Sequence, residues 1–334
     1  MALANLPDMV ARPLGISTVV AVIAILRASL LFAGQPVRAT QGHGPATPAD
    51  QIAGYMFDIP VPMSNYAFAK RVAYMFPKPG EESLTPAQRE RLIWEALILH
   101  YESFRRGITI SAAELDQWID GVLKQEQLTF TKQQDPTAYQ RWVTDRLGED
   151  VELFENQMRY LMQIDRVKDT VRRASTVTVS DEEMQQEFLN EKNHVAGEMV
   201  TFETKEAAQA FYDTVKSPKQ WEAMKAAGQP TVRPVNLMTL EAYMDLWGIP
   251  KEQMSAFHGL AIGSVGPPMP FGKQWCVYHL LEKRTADLSQ FPNERQSYYE
   301  QIKAKKQYHA LQQWIEDLKA SAQLKVLPLA DPVQ

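Results

Sequence analysis

The chain has 334 residues, 45% hydrophobic and 22% charged, the make-up of an ordinary globular protein long enough for about two domains. A formal net charge of -5, with no Lys/Arg run, excludes the basic field that nucleic-acid binding requires. The single cysteine, Cys276, excludes an internal disulfide and a cysteine-rich zinc site.

Leu14 to Ala33 is a largely apolar run of 20 residues between Pro13 and Gly34, with Arg27 its one charged residue. As a helix it spans about 30 Å, the thickness of a hydrocarbon core. It reads as a membrane anchor marked by Leu14, Val19, Ile23, Arg27 and Leu31. An arginine at mid-bilayer costs about 3 kcal/mol, but Arg27 lies two-thirds along, where it can snorkel or meet a partner's carboxylate. The competing reading is a cleaved signal peptide with Ile16–Leu26 as its core. Arg12 and Arg38 stand on opposite sides of the run, so the flanking charges leave orientation tied. Gly34 to Asp50, with three glycines and three prolines, reads as an extended tether.

Ile59, Val61 and Met63 alternate with prolines as in an edge strand, and Ser64 opens a short helix carrying Phe68, Val72, Met75 and Phe76. Thr85, Pro86 and Gln88 make a capping-box start. Ile93, Ala96, Leu97, His100 and Phe104 then recur at helical spacing as one buried stripe, and Gly107 ends the helix. Ser111 and Glu114 form a second capping box, followed by Leu115, Ile119, Val122 and Leu123. Asp135-Pro136 starts a helix with Tyr139, Trp142 and Val143 that Gly148 breaks. Asp150 to Arg173 is a long helix with Phe154, Met158, Leu161 and Ile164 on one face.

The leucine-rich helix, the elbow Gly107-Ile108-Thr109-Ile110-Ser111 and the acidic start at Glu114 resemble the N-terminal chaperone module of the SurA, PpiD and PrsA family. These are extracytoplasmic bacterial chaperones with a parvulin-type prolyl isomerase domain. Val179-Ser180-Asp181-Glu182-Glu183 is similar to the family's junction between the two domains, and the resemblance runs from about Asp58 to about Leu327.

Beyond the junction the pattern turns α+β. Ser180 and Glu183 cap a helix to about Lys192; Glu198–Phe202 reads as a strand, Thr204–Val215 as a helix, and Ser217-Pro218 with Gln220 as the start of another. Asn236–Trp247 and Pro250–Phe257 read as helical, and Trp275–Leu281 as a strand. The last helix, Asn293 to Gln323, carries a seam of Tyr308, Leu311, Ile315, Leu318 and Ala322 that must be buried. Leu324–Leu327 is expected to add a strand beside Ile59–Met63.

The resemblance implies a mainly α-helical α+β chain. Its parts would be a cytoplasmic N-terminus and transmembrane anchor at 1–33, a tether at 34–57 and a helical module at 58–179. A parvulin-like domain would follow at 180–286, then a C-terminal helix at 287–334 packing back on the helical module. It also implies N-terminus inside and bulk in the periplasm, at the bacterial inner membrane.

Rotation about an X-Pro bond meets a barrier of about 20 kcal/mol. Enzymes of the resembled family lower it with an apolar pocket between two hydrogen-bonded histidines, without a cofactor. Their first histidine lies about nine residues before the alanine of the next helix; counting back from Ala207 reaches Glu198. Their second lies in an aromatic-His-Ile order on the last strand, which we match to Trp275-Cys276-Val277, so Cys276 takes its place. The Gly-Gly-x-Leu-Gly-Trp stretch is absent as well; the nearest text is Pro234 to Gly248. Both catalytic positions are thus expected to be replaced and the isomerase domain to be degenerate.

None of the six histidines pairs with another at metal-ligand spacing, so no metal and no cofactor are expected. Cys276 and His279, three apart on a strand, point to opposite faces, which disfavours a Cys–His dyad. Trp142, Met158, Tyr160 and Met162 crowd one helix pair and are candidates for a protein-binding cradle, with core filling the alternative. The function expected is a membrane-anchored, non-catalytic chaperone-like module whose partners are membrane or exported proteins and, through its anchor, the lipid bilayer. A permanent subunit of a membrane complex and an active prolyl isomerase are the alternatives.

Overall fold

The computed structural model describes residues 51–75, 81–228 and 230–328. The expected anchor, with Leu14, Val19, Ile23, Arg27 and Leu31, and the tether as far as Asp50 lie outside the described residues. Among the described residues no helix is long and apolar enough to cross a membrane. The described residues divide into two compact units, those of 51–175 with 308–328, and those of 176–307. Both combine helices with a small antiparallel sheet, the mainly helical α+β architecture expected.

The first unit opens on a hairpin of β1 (Ile52–Met56) and β2 (Ile59–Pro62). Phe57 and Asp58 turn it with positive φ of 54° and 58°, which matches the right-handed twist of the strands. Residues 52–56, expected in the tether, form a strand because they pair with β2, a partner no local pattern reveals. Five helices follow, α1 (Met63–Met75), α2 (Pro86–Arg105), α3 (Ala112–Gln125), α4 (Pro136–Leu147) and α5 (Val151–Ala174). Complete capping boxes at Thr85/Gln88 and Ser111/Glu114 start α2 and α3. The residue after the α2 cap, Gly107, and the C-cap of α4, Gly148, adopt φ of 66° and 67°, open to glycine without steric cost.

The second unit comprises α6 (Asp181–Lys192), β3 (His194–Phe202), α7 (Lys205–Thr214), α8 (Pro218–Ala226), β4 (Arg233–Thr239), α9 (Leu240–Trp247) and α10 (Lys251–Gly259). Then come β5 (Met269–Phe271), β6 (Gln274–Arg284) and the first turns of the long α11 (Phe291–Ala322). The strands form one antiparallel sheet in the order β4–β3–β6–β5. Asn236–Thr239 belongs to β4 and not to the helix read from Asn236, because β3 supplies ladder partners there; the helix starts one residue after Thr239, whose side chain caps it.

One sheet face buries Val195, Met199, Cys276, Tyr278 and Leu280 against Tyr243, Met254 and Phe257 of α9 and α10. The other buries Val200 and Val277 against Ala208 and Trp221 of α7 and α8.

Residues of α11 from 308 onward return to the first unit, where Leu311, Ile315, Leu318 and Ala322 join the core with Trp94, Leu97 and Val167. Tyr308, expected in the same seam, is 47% exposed. Residues 287–307, part of the C-terminal helix expected to pack back on the helical module, lie in the second unit, where Tyr298 and Ile302 pack on Met184 and Phe188. The last strand, β7 (Lys325–Val326), pairs with β1 and not with the Ile59–Met63 segment, giving the order β2–β1–β7.

Candidate functional site

The register between β3 and β6 sets Glu198 opposite His279 and Thr201 opposite Cys276. Glu198 and His279 are 7% and 3% exposed, on the sheet face covered by α8. Each Glu198 oxygen has a donor from that helix: Trp221 Nε1 donates to Oε2 at 2.9 Å and the Lys225 ammonium donates to Oε1. Burial pushes the Glu198 carboxyl upward, but the bonds from Lys225 and Trp221 and the charges of Lys225 and His279 outweigh it and hold it below its ordinary value. Glu198 in turn raises Lys225, chiefly through their hydrogen bond. The carboxylate is therefore ionised at neutral pH and only accepts hydrogen bonds.

His279 Nε2 lies 3.1 Å from the Gly263 carbonyl oxygen and donates to it, which assigns a proton to Nε2. Nδ1 is left without a hydrogen-bond partner, 3.7 Å from Glu198 Oε2. The Trp221 ring packs on the imidazole with centroids 5.2 Å apart. The result is a buried carboxylate–imidazole pair with an ammonium at its rim.

Cys276 does not occupy the place given to it from sequence. Its thiol is 1% exposed on the opposite sheet face, packed with Met269 and Tyr278, and burial pushes it up to about 12. Three residues on, Tyr278-His279-Leu280 has the aromatic-His-aliphatic order and stands across from Glu198. The signal that would have found His279 was therefore present; matching the order to Trp275-Cys276-Val277 passed over it. The structure thus brings Glu198, singled out from sequence, together with His279, which was not.

The four residues proposed as a cradle do not form one. Met158 is fully buried and Tyr160 is 4% exposed, and both belong to the core of the first unit. Trp142 is half-buried against Tyr139 and Phe154, and Met162 is likewise half-buried on the core.

The first unit does hold an apolar groove, of about 390 Å³, lined by Ile59, Val61, Phe68, Tyr101, Phe104 and Tyr160 among others. Phe104, expected within a buried stripe, is 61% exposed here, near the end of α2 where fewer elements cover it. His100 packs on Tyr160 and Phe104, with ring centroids 4.3 and 4.7 Å away. Its burial lowers its pKa, opposed by the bond to Gln163, so it adds no charge to the groove at neutral pH. Pro60 and Pro62 on the edge strand β2 lack an N–H, which blunts that edge against strand addition.

No family model matches the chain, and no curated protein matches it in sequence. Among solved structures it is similar to a SurA-like chaperone of Campylobacter jejuni, at 11% identity over 84% of this chain and 100% of that one, with a TM-score of 0.40. It is similar also to the peptidylprolyl isomerase PrsA from Bacillus cereus, at 11% identity over 85% of this chain and 95% of that one, with a TM-score of 0.35. PrsA from Bacillus subtilis aligns at 12% identity over 85% and 96% of the two chains, with a TM-score of 0.26.

Proposed function

We propose that the chain is a chaperone-like, protein-binding module of the SurA and PrsA type that does not catalyse prolyl isomerisation, held at the periplasmic face of a bilayer by Leu14–Ala33. The apolar groove beside Phe104 carries this reading. A large aromatic 61% exposed at the mouth of a groove with Ile59 and Val61 in its wall offers contact to apolar side chains of many sequences. The blunted edge of β2 favours contact through side chains over main-chain pairing.

The absence of catalysis is supported by Glu198, whose carboxylate is already engaged by Trp221 and Lys225 beside a single histidine. Anchoring and location rest on the apolar run before the tether and on the family resemblance.

Two measurements on the full-length chain in mild detergent test the proposal. It should slow aggregation of an unfolded client, and Phe104→Asp should remove most of that effect while leaving the fold intact. In a prolyl-peptide assay it should give no acceleration over buffer. A chain that leaves aggregation unchanged, or that turns over the peptide, refutes the reading.

A further inference from the structure

We propose that His279, Glu198 and Glu222 form a divalent-metal site of the zinc type, one imidazole and two carboxylates gathered between β3, β6 and α8. Each offers one ligand atom, and the three atoms lie within 4.8 Å of one another. No short sequence spacing announces this set, since the residues come from two strands and a helix.

The carrying observation is the Nδ1 atom of His279. It belongs to a side chain 3% exposed, has no hydrogen-bond partner, and lies 3.7 Å from Oε2 of Glu198. A buried ring nitrogen with no partner, aimed at a carboxylate oxygen, is an unsatisfied polar atom that a bound cation would satisfy. The other ring nitrogen is already committed to the Gly263 carbonyl, the outer contact that commonly fixes the tautomer and orientation of a metal-bound histidine.

The geometry is close to that of a loaded site. Zinc–ligand bonds of about 2.0–2.1 Å in a tetrahedron set ligand atoms about 3.3 Å apart, so the Nδ1–Oε2 gap needs to close by only a few tenths of an ångström. Glu222 is exposed on α8, and its carboxylate already lies within 4.8 Å of the other two ligand atoms as the third ligand. Water would complete the coordination. Lys225, one turn further along the same helix, donates to the other Glu198 oxygen and competes as a cation. An imidazole with two carboxylates suits zinc and its late first-row neighbours better than calcium or magnesium.

The test titrates the metal-stripped full-length chain in detergent with zinc chloride by calorimetry, with cobalt(II) absorption as a second readout of the ligand set. One equivalent should bind. Glu222→Gln, an exposed and nearly isosteric change, should weaken binding at least about tenfold, and Lys225→Met should tighten it by removing the competing charge. His279→Gln should abolish it, with the far-ultraviolet spectrum and melting temperature checking that the variant folds. Failure of the wild-type chain to bind, or equal affinity in wild type and Glu222→Gln, overturns the proposal. The first result would mean that a proton alone bridges the pair, and the second that zinc sits on other histidines.

Discussion

Cys276 lies opposite Thr201 in the register that joins β3 to β6, and that single pairing separates the thiol from the polar site. Strand alternation then sends Cys276 to one sheet face and His279 to the other. The thiol is consequently a small buried hydrophobe whose pKa of about 12 leaves almost no thiolate at neutral pH. A disulfide reagent at pH 8 should leave the native chain unlabelled and modify one thiol per chain once denaturant is added. Fast labelling of the native chain would contradict this placement.

Gly197 sits at the irregularity in the β3–β6 ladder, beside Glu198. A Cβ there would stand 2.1 Å from the His279 carbonyl oxygen and 2.7 Å from the Tyr278 ring. The first neighbour is backbone and the second is packed in the core, so neither yields easily. Gly197→Ala should destabilise the second unit by about 1–3 kcal/mol in chemical denaturation, contrary to the gain alanine usually brings in a strand.

Glu114 combines two roles, closing the capping box with Ser111 and accepting a hydrogen bond from Arg166 at 2.8 Å. The Arg166 bond first, then the two from Ser111, lower its pKa from 4.5 to about 2. A depressed carboxyl stabilises the fold fully above its unfolded value and loses that contribution as pH falls through the folded one. Wild type should therefore exceed Glu114→Gln in stability at pH 6, and the gap should shrink between pH 4.5 and about 2. A gap that is constant over that interval, followed by circular dichroism, would remove the charge from the explanation.

Ile315 is 3% exposed and belongs to the part of α11 that completes the first unit's core. Ile315→Ala should cost about 2–4 kcal/mol by lost burial and the cavity left behind. Tyr308→Ala, on the same helix but 47% exposed, should change stability by less than about 1 kcal/mol. Urea melts of the two variants compare the sites directly.

Local chemistry was legible in the sequence. The capping boxes at Thr85, Ser111, Ser180 and Ser217 each act between residues three apart, so a short window holds the whole interaction. The apolar seam of Leu311, Ile315 and Leu318 was equally visible, because helical periodicity demands burial whatever the partner.

What the tertiary structure decided were pairings between distant residues. β7 joins β1 across some 270 residues, β4 becomes a strand only because β3 lies beside it, and the groove-lining Phe104 is left uncovered where its helix stripe implied a core position. The polar site shows the same division most sharply. Glu198 was named from the pattern of the resembled family, yet its donors Trp221 and Lys225 and its neighbour His279 come from elements 23 to 81 residues away, as the numbering shows. A period of two says that strand residues alternate between faces, but which residue faces which across the ladder depends on register. Register is set by the packing of both sheet faces at once, which only the folded chain contains.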